Sequence, residues 1–398
     1  VRLYAGDLYW DKTFGEPFAF DKITEPEATR ILIVGGGMSG SLCAFVLSSH
    51  GIPVTVIEKN KIGRGSSAAN TGLLQYRSDK MLCEFADTIG EEKAVQFYRM
   101  CLEAMDQLTW INGLLRDQTG YRLKDSIYYA SGEEDGEKLH KEYNYLLKYD
   151  FPVEFLDQEE LKNKYGINKP CALRTWHDAD VNPFRFIQAL TRQNLKQGVK
   201  YYEETELDLK SLQGNTILTK DGFLITFEHL VLATGYTRIY PVIKGKGMIN
   251  RTYALCSKPF ITHLWKDAAM VWETKNPYLY FRATEDHRII AGGLDETIDI
   301  VEEDEAKIML KAKEITGQIQ EVFPNLEISI DHAWSALFGS SRDGLPFIGK
   351  DPRSPNHYYL LGYEGNGTCY SMAGALILKD LILGKVNPYQ DIVRVDRQ

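Results

Sequence analysis

Apolar residues fall along this chain in two patterns. Short unbroken runs, Ile31-Leu-Ile-Val34, Pro53-Val-Thr-Val-Ile57 and His229-Leu-Val-Leu-Ala-Thr-Gly235, leave no polar face and predict strands buried on both sides, as in a parallel sheet. Between the first two runs, Ser39 to Ser49 predicts a helix stopped at Gly51. Further on, Val95, Tyr98, Leu102, Met105, Leu108, Ile111 and Leu115 recur every three or four residues, which predicts one helical packing face from residue 84 to 117. Asn182 and Pro183 read as the cap and first turn of another helix that ends at Gly198, followed by a strand from Val199 to Glu203. Lys220-Asp-Gly222 then predicts a hairpin turn.

From residue 241 to 334 the pattern changes to aromatic-rich strands (Tyr253 to Phe260, Tyr278 to Phe281, Ile289 to Ala291) and an amphipathic helix through Ile308, Ala312, Ile315, Ile319 and Val322. This predicts an antiparallel layer with a covering helix. A strand from Tyr358 to Leu361 and a final helix after Thr368 close the chain. The first 26 residues carry Tyr4, Tyr9, Trp10, Phe14, Phe18 and Phe20, too many rings to leave wet, so they are expected to pack over the fold as an arm.

Composition narrows the class. At 398 residues two domains are expected, and 44% hydrophobic with 25% charged residues is the balance of a globular protein. A net charge of −9 argues against a broad nucleic-acid surface. No apolar run is long enough for a membrane span and the opening residues do not read as a signal core, so the expected location is the cytoplasm. The six cysteines include no CxxC pair and the eight histidines form no HxH or HExxH pattern, so neither disulfides nor a metal site are expected.

Candidate chemistry begins where the first strand meets the first helix. Gly35, Gly37 and Gly40 stand in GxGxxG spacing between them: the first makes the turn, the second admits a pyrophosphate close to the backbone, and the third lets helix and strand pack. The helix N-terminus offers free N–H donors and a positive dipole end to the phosphates. Glu58 closes the second strand, where a βαβ unit places a carboxylate for an adenosine ribose; its charge would repel a 2′-phosphate.

With the Gly65-Ser-Ser-Ala-Ala-Asn-Thr-Gly72 loop, Asp180-Val-Asn-Pro183, Leu232-Ala-Thr-Gly235, Asp343-Gly-Leu-Pro-Phe-Ile-Gly349 and Gly362-x-x-Gly365-x-Gly367, these motifs occur in an order and spacing that resembles one family. It is the D-amino-acid oxidase superfamily of FAD-dependent oxidoreductases, in the branch containing glycine oxidase and sarcosine oxidase. The resemblance runs from about residue 28 to 385. It implies an α/β fold: a discontinuous Rossmann-like FAD-binding domain (27–80, 176–240 and 335–398) and a second α+β substrate domain on a mostly antiparallel sheet (81–175 and 241–334).

The resemblance also implies roles. Gly35, Gly37, Met38, Ser39 and Gly40 would hold the pyrophosphate, Glu58 and Lys59 the adenosine end, and Leu207 the adenine through its backbone. Arg64, Gly65, Ser66, Ser67, Thr71, Gly72 and Leu73 would line the middle of the cofactor, with Ala233, Thr234 and Gly235 closing over the nucleotide. Gly365, Asn366, Gly367 and Thr368 would present N–H groups to the flavin ring, and Arg342 would lie near it.

Departures from the family pattern matter as much. Phe338 stands where amino-acid-oxidising members place a carboxylate-binding arginine, which leaves Arg282 and Arg342 as candidates for that role. Trp334 to Phe338 contains no cysteine and the 65–72 loop no histidine, so FAD is expected to be non-covalent. Ile289 and Ile290 occupy the strand where oxidases place an oxygen-activating lysine, which favours a dehydrogenase with another redox acceptor. Tyr253, Tyr278, Tyr280 and His263 are further pocket candidates. The expected activity is oxidation of a C–N bond in a small amine or amino acid. The alternatives are a flavin-bearing electron-transfer subunit with a protein redox partner, and a dinucleotide sensor without turnover.

Overall fold

The computed structural model describes residues 2–115, 119–237, 240–261 and 265–397. The buried runs do form a parallel sheet. Strands Glu27–Val34, Val54–Ile57 and Lys200–Tyr202 lie side by side, with Leu224–Leu232 and His357–Leu361 on the other flank of Glu27–Val34, all parallel. Phe347–Lys350 adds an antiparallel edge, and the ribbon of Leu207–Gln213 and Thr216–Thr219 completes this eight-stranded sheet.

One face of the sheet is covered by helices Met38–Ser48, Pro183–Lys196 and Gly367–Ile382, with Glu91–Leu115 packed against the last of these. The small residues Gly40, Ser41, Cys43 and Ala44 are buried, which lets the first helix sit close to the strands. The opposite face packs under Tyr240, Ile243 and Tyr363 and the ribbon. Asn182 caps its helix as expected, accepting from the Arg185 N–H at 3.0 Å, and Pro183 occupies the first turn.

A ten-stranded sheet, antiparallel except where Met270–Glu273 runs parallel to Arg122–Tyr129, forms the second layer. Its order runs from Tyr4–Gly6 through Ile330–Ser341, Gly247–Ser257, Ile289–Glu296, Tyr280–Ala283 and Met270–Glu273 to Arg122–Tyr129, Cys171–Asp180 and Leu73–Leu74. Helix Glu305–Val322 covers one face through Ile308, Ala312, Ile315 and Ile319. The other face turns toward the nucleotide sheet. Two strands, Cys171–Asp180 and Ile330–Ser341, run across the expected domain boundaries, so the two units share continuous backbone there.

Two local expectations shift, and two strands carry no clear pattern in the sequence. The long helical face is two helices, Leu82–Ile89 and Glu91–Leu115, because Gly90 between them sits at φ +86°. The strand expected from Tyr278 starts at Tyr280, since the Leu279 N–H donates to the Glu273 carboxylate at 3.2 Å instead of to the ladder. Strands Arg122–Tyr129 and Cys171–Asp180 carry charged residues such as Arg122, Lys124 and Arg174 that mask alternation in the sequence. The aromatic arm does pack over the fold: Tyr4–Gly6 pairs with Trp334 to Ala336, and Trp10 is buried. All six cysteines are buried and free.

Candidate active site

A cavity opens where three glycine-bearing segments meet the bare face of the ten-stranded sheet. Its wall includes Met38 and Ser39 at the first helix start, Ser66, Ser67, Ala69 to Thr71 and Leu73 of the small-residue loop, Gly235, and Gly365 to Thr368 at the last helix start. The turn itself leaves no room for side chains: a Cβ on Gly40 would lie 1.9 Å from the Gly35 carbonyl oxygen. Gly35 adopts φ +113°, and a Cβ there would lie 2.3 Å from the Ala233 oxygen. The sequence spacing assigns the tight turn to Gly35 and close helix–strand packing to Gly40, and these contacts leave neither position room for a side chain.

Glu58 reaches back over this turn, accepting from the Gly36 N–H at 2.9 Å and the Asn60 N–H at 2.9 Å. Burial raises its pKa while the two N–H bonds hold it down. The Thr205 N–H donates to the Glu58 carbonyl at 3.0 Å, which brings the start of the Leu207 strand beside Glu58; Lys59 is half-buried, and none of these residues lines the cavity itself. At the first helix, the Met38 N–H donates to Ser67 Oγ at 2.9 Å, and Ser39 Oγ lies 2.7 Å from Ser371 Oγ of the last helix. Ser66 Oγ is buried with no partner among the described residues, an orphan that a bound group would satisfy.

The small-residue loop is pinned from both sides. Trp10 of the arm donates to the Asn70 carbonyl at 2.6 Å, Trp334 to the Ala69 carbonyl at 3.0 Å, and the Gly72 N–H to Asn70 Oδ1 at 2.6 Å. Arg282 completes this clamp. Its guanidinium donates to the Thr71 carbonyl at 2.8 Å and the Val181 carbonyl at 2.7 Å, and pairs with Asp180 at 3.2 Å. It lies on the cavity-facing side of its strand but two residues beyond Tyr280, beneath the loop, with Trp10 stacked over it. The expectation that Arg282 binds a substrate carboxylate is therefore corrected: its guanidinium is spent on the loop and on the Asp180–Val181 segment.

Other expected residues also move. Tyr253 points away from the cavity into the core under helix Glu305–Val322, donating to Glu296 at 3.0 Å, because strand alternation sends its neighbour Thr252 to the cavity wall instead. Arg342 is exposed and does not line the cavity, and Arg64 pairs with Asp11 of the arm. The Gly365 N–H is already committed to Asp79 Oδ2 at 2.8 Å, and the Asn366 amide to the carbonyls of Gln75 and Arg77, which leaves Gly367 and Thr368 as the open helix start. Thr234 bonds Tyr240 at 2.8 Å, and the Ala233 N–H donates to the Val34 carbonyl at 2.9 Å. His263 lies outside the described residues.

Tyr278 and Tyr280 do line the cavity, together with residues that the sequence pattern did not single out: Arg77, Asp79, Trp272, Asp295 and Glu364. Burial holds Asp295 at about 6 and Glu364 at about 8, with Asp79 pushing both upward. Tyr278 donates to Asp79 at 3.3 Å. The Arg77-x-Asp79 pair, three residues beyond the apolar Leu73-Leu74, is the one sequence signal for this wall. The cavity wall carries no cysteine or histidine among the described residues.

Fold and site together define a protein built to hold an extended dinucleotide, with its reactive end against an aromatic sheet face. The chain belongs to the family described as FAD dependent oxidoreductase (DAO), whose model matches residues 30–381, and its cofactor is FAD. Among curated relatives, the putative Rieske 2Fe-2S iron-sulfur protein YhfW of Bacillus subtilis is 25% identical over 406 residues, covering 99% of this chain and 76% of that one. Glycine oxidase of Bacillus licheniformis is 25% identical over 363 residues, 89% of this chain and 92% of its own. The crystal structure of glycine oxidase from Geobacillus kaustophilus superposes with a TM-score of 0.79 at 20% identity, over 94% of this chain and 99% of that one. No helix among the described residues is long and apolar enough to cross a membrane.

Proposed function

We propose that the protein oxidises the C–N bond of a small amine or amino acid, using non-covalently held FAD, to an imine that water hydrolyses. The observation that carries this reading is the joining of the dinucleotide cradle to a cavity walled by Trp272, Tyr278, Tyr280 and three carboxylates. Met38, Ser39 and Gly40 would hold the pyrophosphate, Glu58 the ribose, Ser66 and Ser67 the middle of the cofactor, and Gly367 and Thr368 the ring. When bound, FAD supplies the hydride acceptor, so the protein need only place the donor carbon and manage one proton.

An amine gives up its hydride only when its nitrogen is neutral. Asp79 and Asp295 draw an ammonium in, and Asp295 Oδ1, buried without a partner among the described residues, is placed to take its proton. The aromatic wall excludes water, which lowers the amine's own pKa. Buried Ile289 and Ile290 leave no amino group on their strand, which supports a dehydrogenase over an oxidase.

Anaerobic addition of an amine and amino-acid panel to the purified flavoprotein, with a dye as acceptor, tests this. Bleaching of the flavin by at least one compound is the expected result, and none bleaching it would sink the reading. A second reading has the flavin pass electrons to a protein partner, and is favoured by the likeness to a relative named as an iron-sulfur protein. It is supported if dye reduction requires an added iron-sulfur carrier.

A further inference from the structure

Three buried N–H donors on the cavity wall have nothing to bind. Among the described residues no acceptor lies within hydrogen-bond reach of Arg77 Nε, Arg77 Nη1 or Trp272 Nε1. The two side chains are 1% and 4% exposed, both line the active-site cavity, and the guanidinium carbon sits 5.2 Å from the Trp272 ring centre. A buried unpaired donor costs about 1–3 kcal/mol, more when charged, so several together on one wall call for a ligand with acceptors.

The partners Arg77 does have leave that demand open. Its face lies over Tyr128 at 4.6 Å, and Tyr128 stacks on Trp272 at 3.9 Å, which fixes the guanidinium without using its N–H edge. Only Nη2 meets an anion, Glu142 at 3.4 Å, and that carboxylate is shared with the N–H groups of Leu82 at 3.0 Å and Cys83 at 2.9 Å. A fixed guanidinium with unpaired N–H donors beside an indole N–H can offer one donor from each residue to the two oxygens of a carboxylate.

We propose that Arg77 and Trp272 form the niche for the substrate's carboxylate, taking over the task that Phe338 cannot perform. The niche comes from the 75–79 turn and from strand Met270–Glu273, four strands across the sheet from the strand of Phe338, so the arginine has not simply slipped along its own strand. Asp79 and Asp295 on the same cavity wall take the ammonium. The substrate is thereby an amine that also carries an acid group. This deepens the amine-oxidising reading and rests on it for the ammonium half.

Sodium propionate, with propionamide as the uncharged control, is titrated into the flavin-loaded protein while the flavin absorbance is followed. Propionate is expected to bind and propionamide not. Trp272→Phe, which keeps the ring and deletes the donor, should weaken propionate about tenfold, and Arg77→Lys, which keeps a charge facing Glu142, at least as much. Equal binding of both probes, no propionate binding at all, or unchanged affinity in folded Trp272→Phe overturns the niche; should Arg77→Lys fail to fold, Trp272→Phe alone decides. If propionate behaves as expected but no amine bleaches the flavin, the reaction fails and the niche stands. If amines bleach it while propionate ignores both substitutions, the niche fails and the reaction stands.

Discussion

Arg282 shows how far a residue's chemistry can be read without its surroundings. A lone arginine on an aromatic strand of a flavoenzyme suggests a substrate anchor, and period-two alternation does put it on the cavity side of the sheet. What alternation cannot show is that Thr71, Val181 and Asp180, from 101 to 211 positions away, consume its donors. Removing one partner of a buried ion pair typically costs about 3–5 kcal/mol, and since Arg122 remains on Asp180 we expect the low end, about 3 kcal/mol, for Arg282→Met. A lowered melting midpoint and easier FAD loss are expected, with KM for any substrate unchanged in the molecules that keep the cofactor.

Glu364 is a second residue invisible to pattern. Burial, with Asp79 nearby, raises its carboxyl from an ordinary 4.5 to about 8. The folded state therefore binds a proton that the unfolded chain has released between those values, so stability falls as pH rises through that window. Flavin-free protein should melt at progressively lower temperature from pH 5 to 8, and Glu364→Gln should flatten that slope. A slope equally steep in both proteins would refute the assignment.

At the scale of elements, the parallel strands and the glycine turn were legible because their residues face buried surroundings on every side, so composition alone marks them. The split at Gly90 and the strands from Arg122 to Asp180 were not, since a helix-period stripe continues across a glycine break and long basic side chains interrupt alternation. The carboxylate and arginine wall was hidden for a different reason: Arg77 and Asp79 sit on a turn, where no period exists. The arm was legible as something that must pack, but its role in pinning the loop was not. Trp10→Phe deletes one hydrogen bond to Asn70 and should cost about 1 kcal/mol, raising the FAD dissociation constant about fivefold. Titration of flavin-free variant with FAD measures it, and an unchanged constant would free the loop from the arm.

For the molecule as a whole, the two sheets act as a cradle and a lid-like wall whose meeting line is the cavity. Since that wall offers neither thiol nor imidazole among the described residues, acid precipitation of the purified protein should leave a white pellet under a yellow supernatant. A yellow pellet would show a bond from the ring to the chain and would require another attachment residue.

The pairing of Tyr4–Gly6 with Trp334 to Ala336 also sets an order of events during synthesis. This segment finds its partner strand only after more than three hundred further residues have been made, and the indole that pins the cofactor loop belongs to the same arm. The cofactor loop is thus held by both indoles only once the strand Ile330–Ser341 exists to receive the arm.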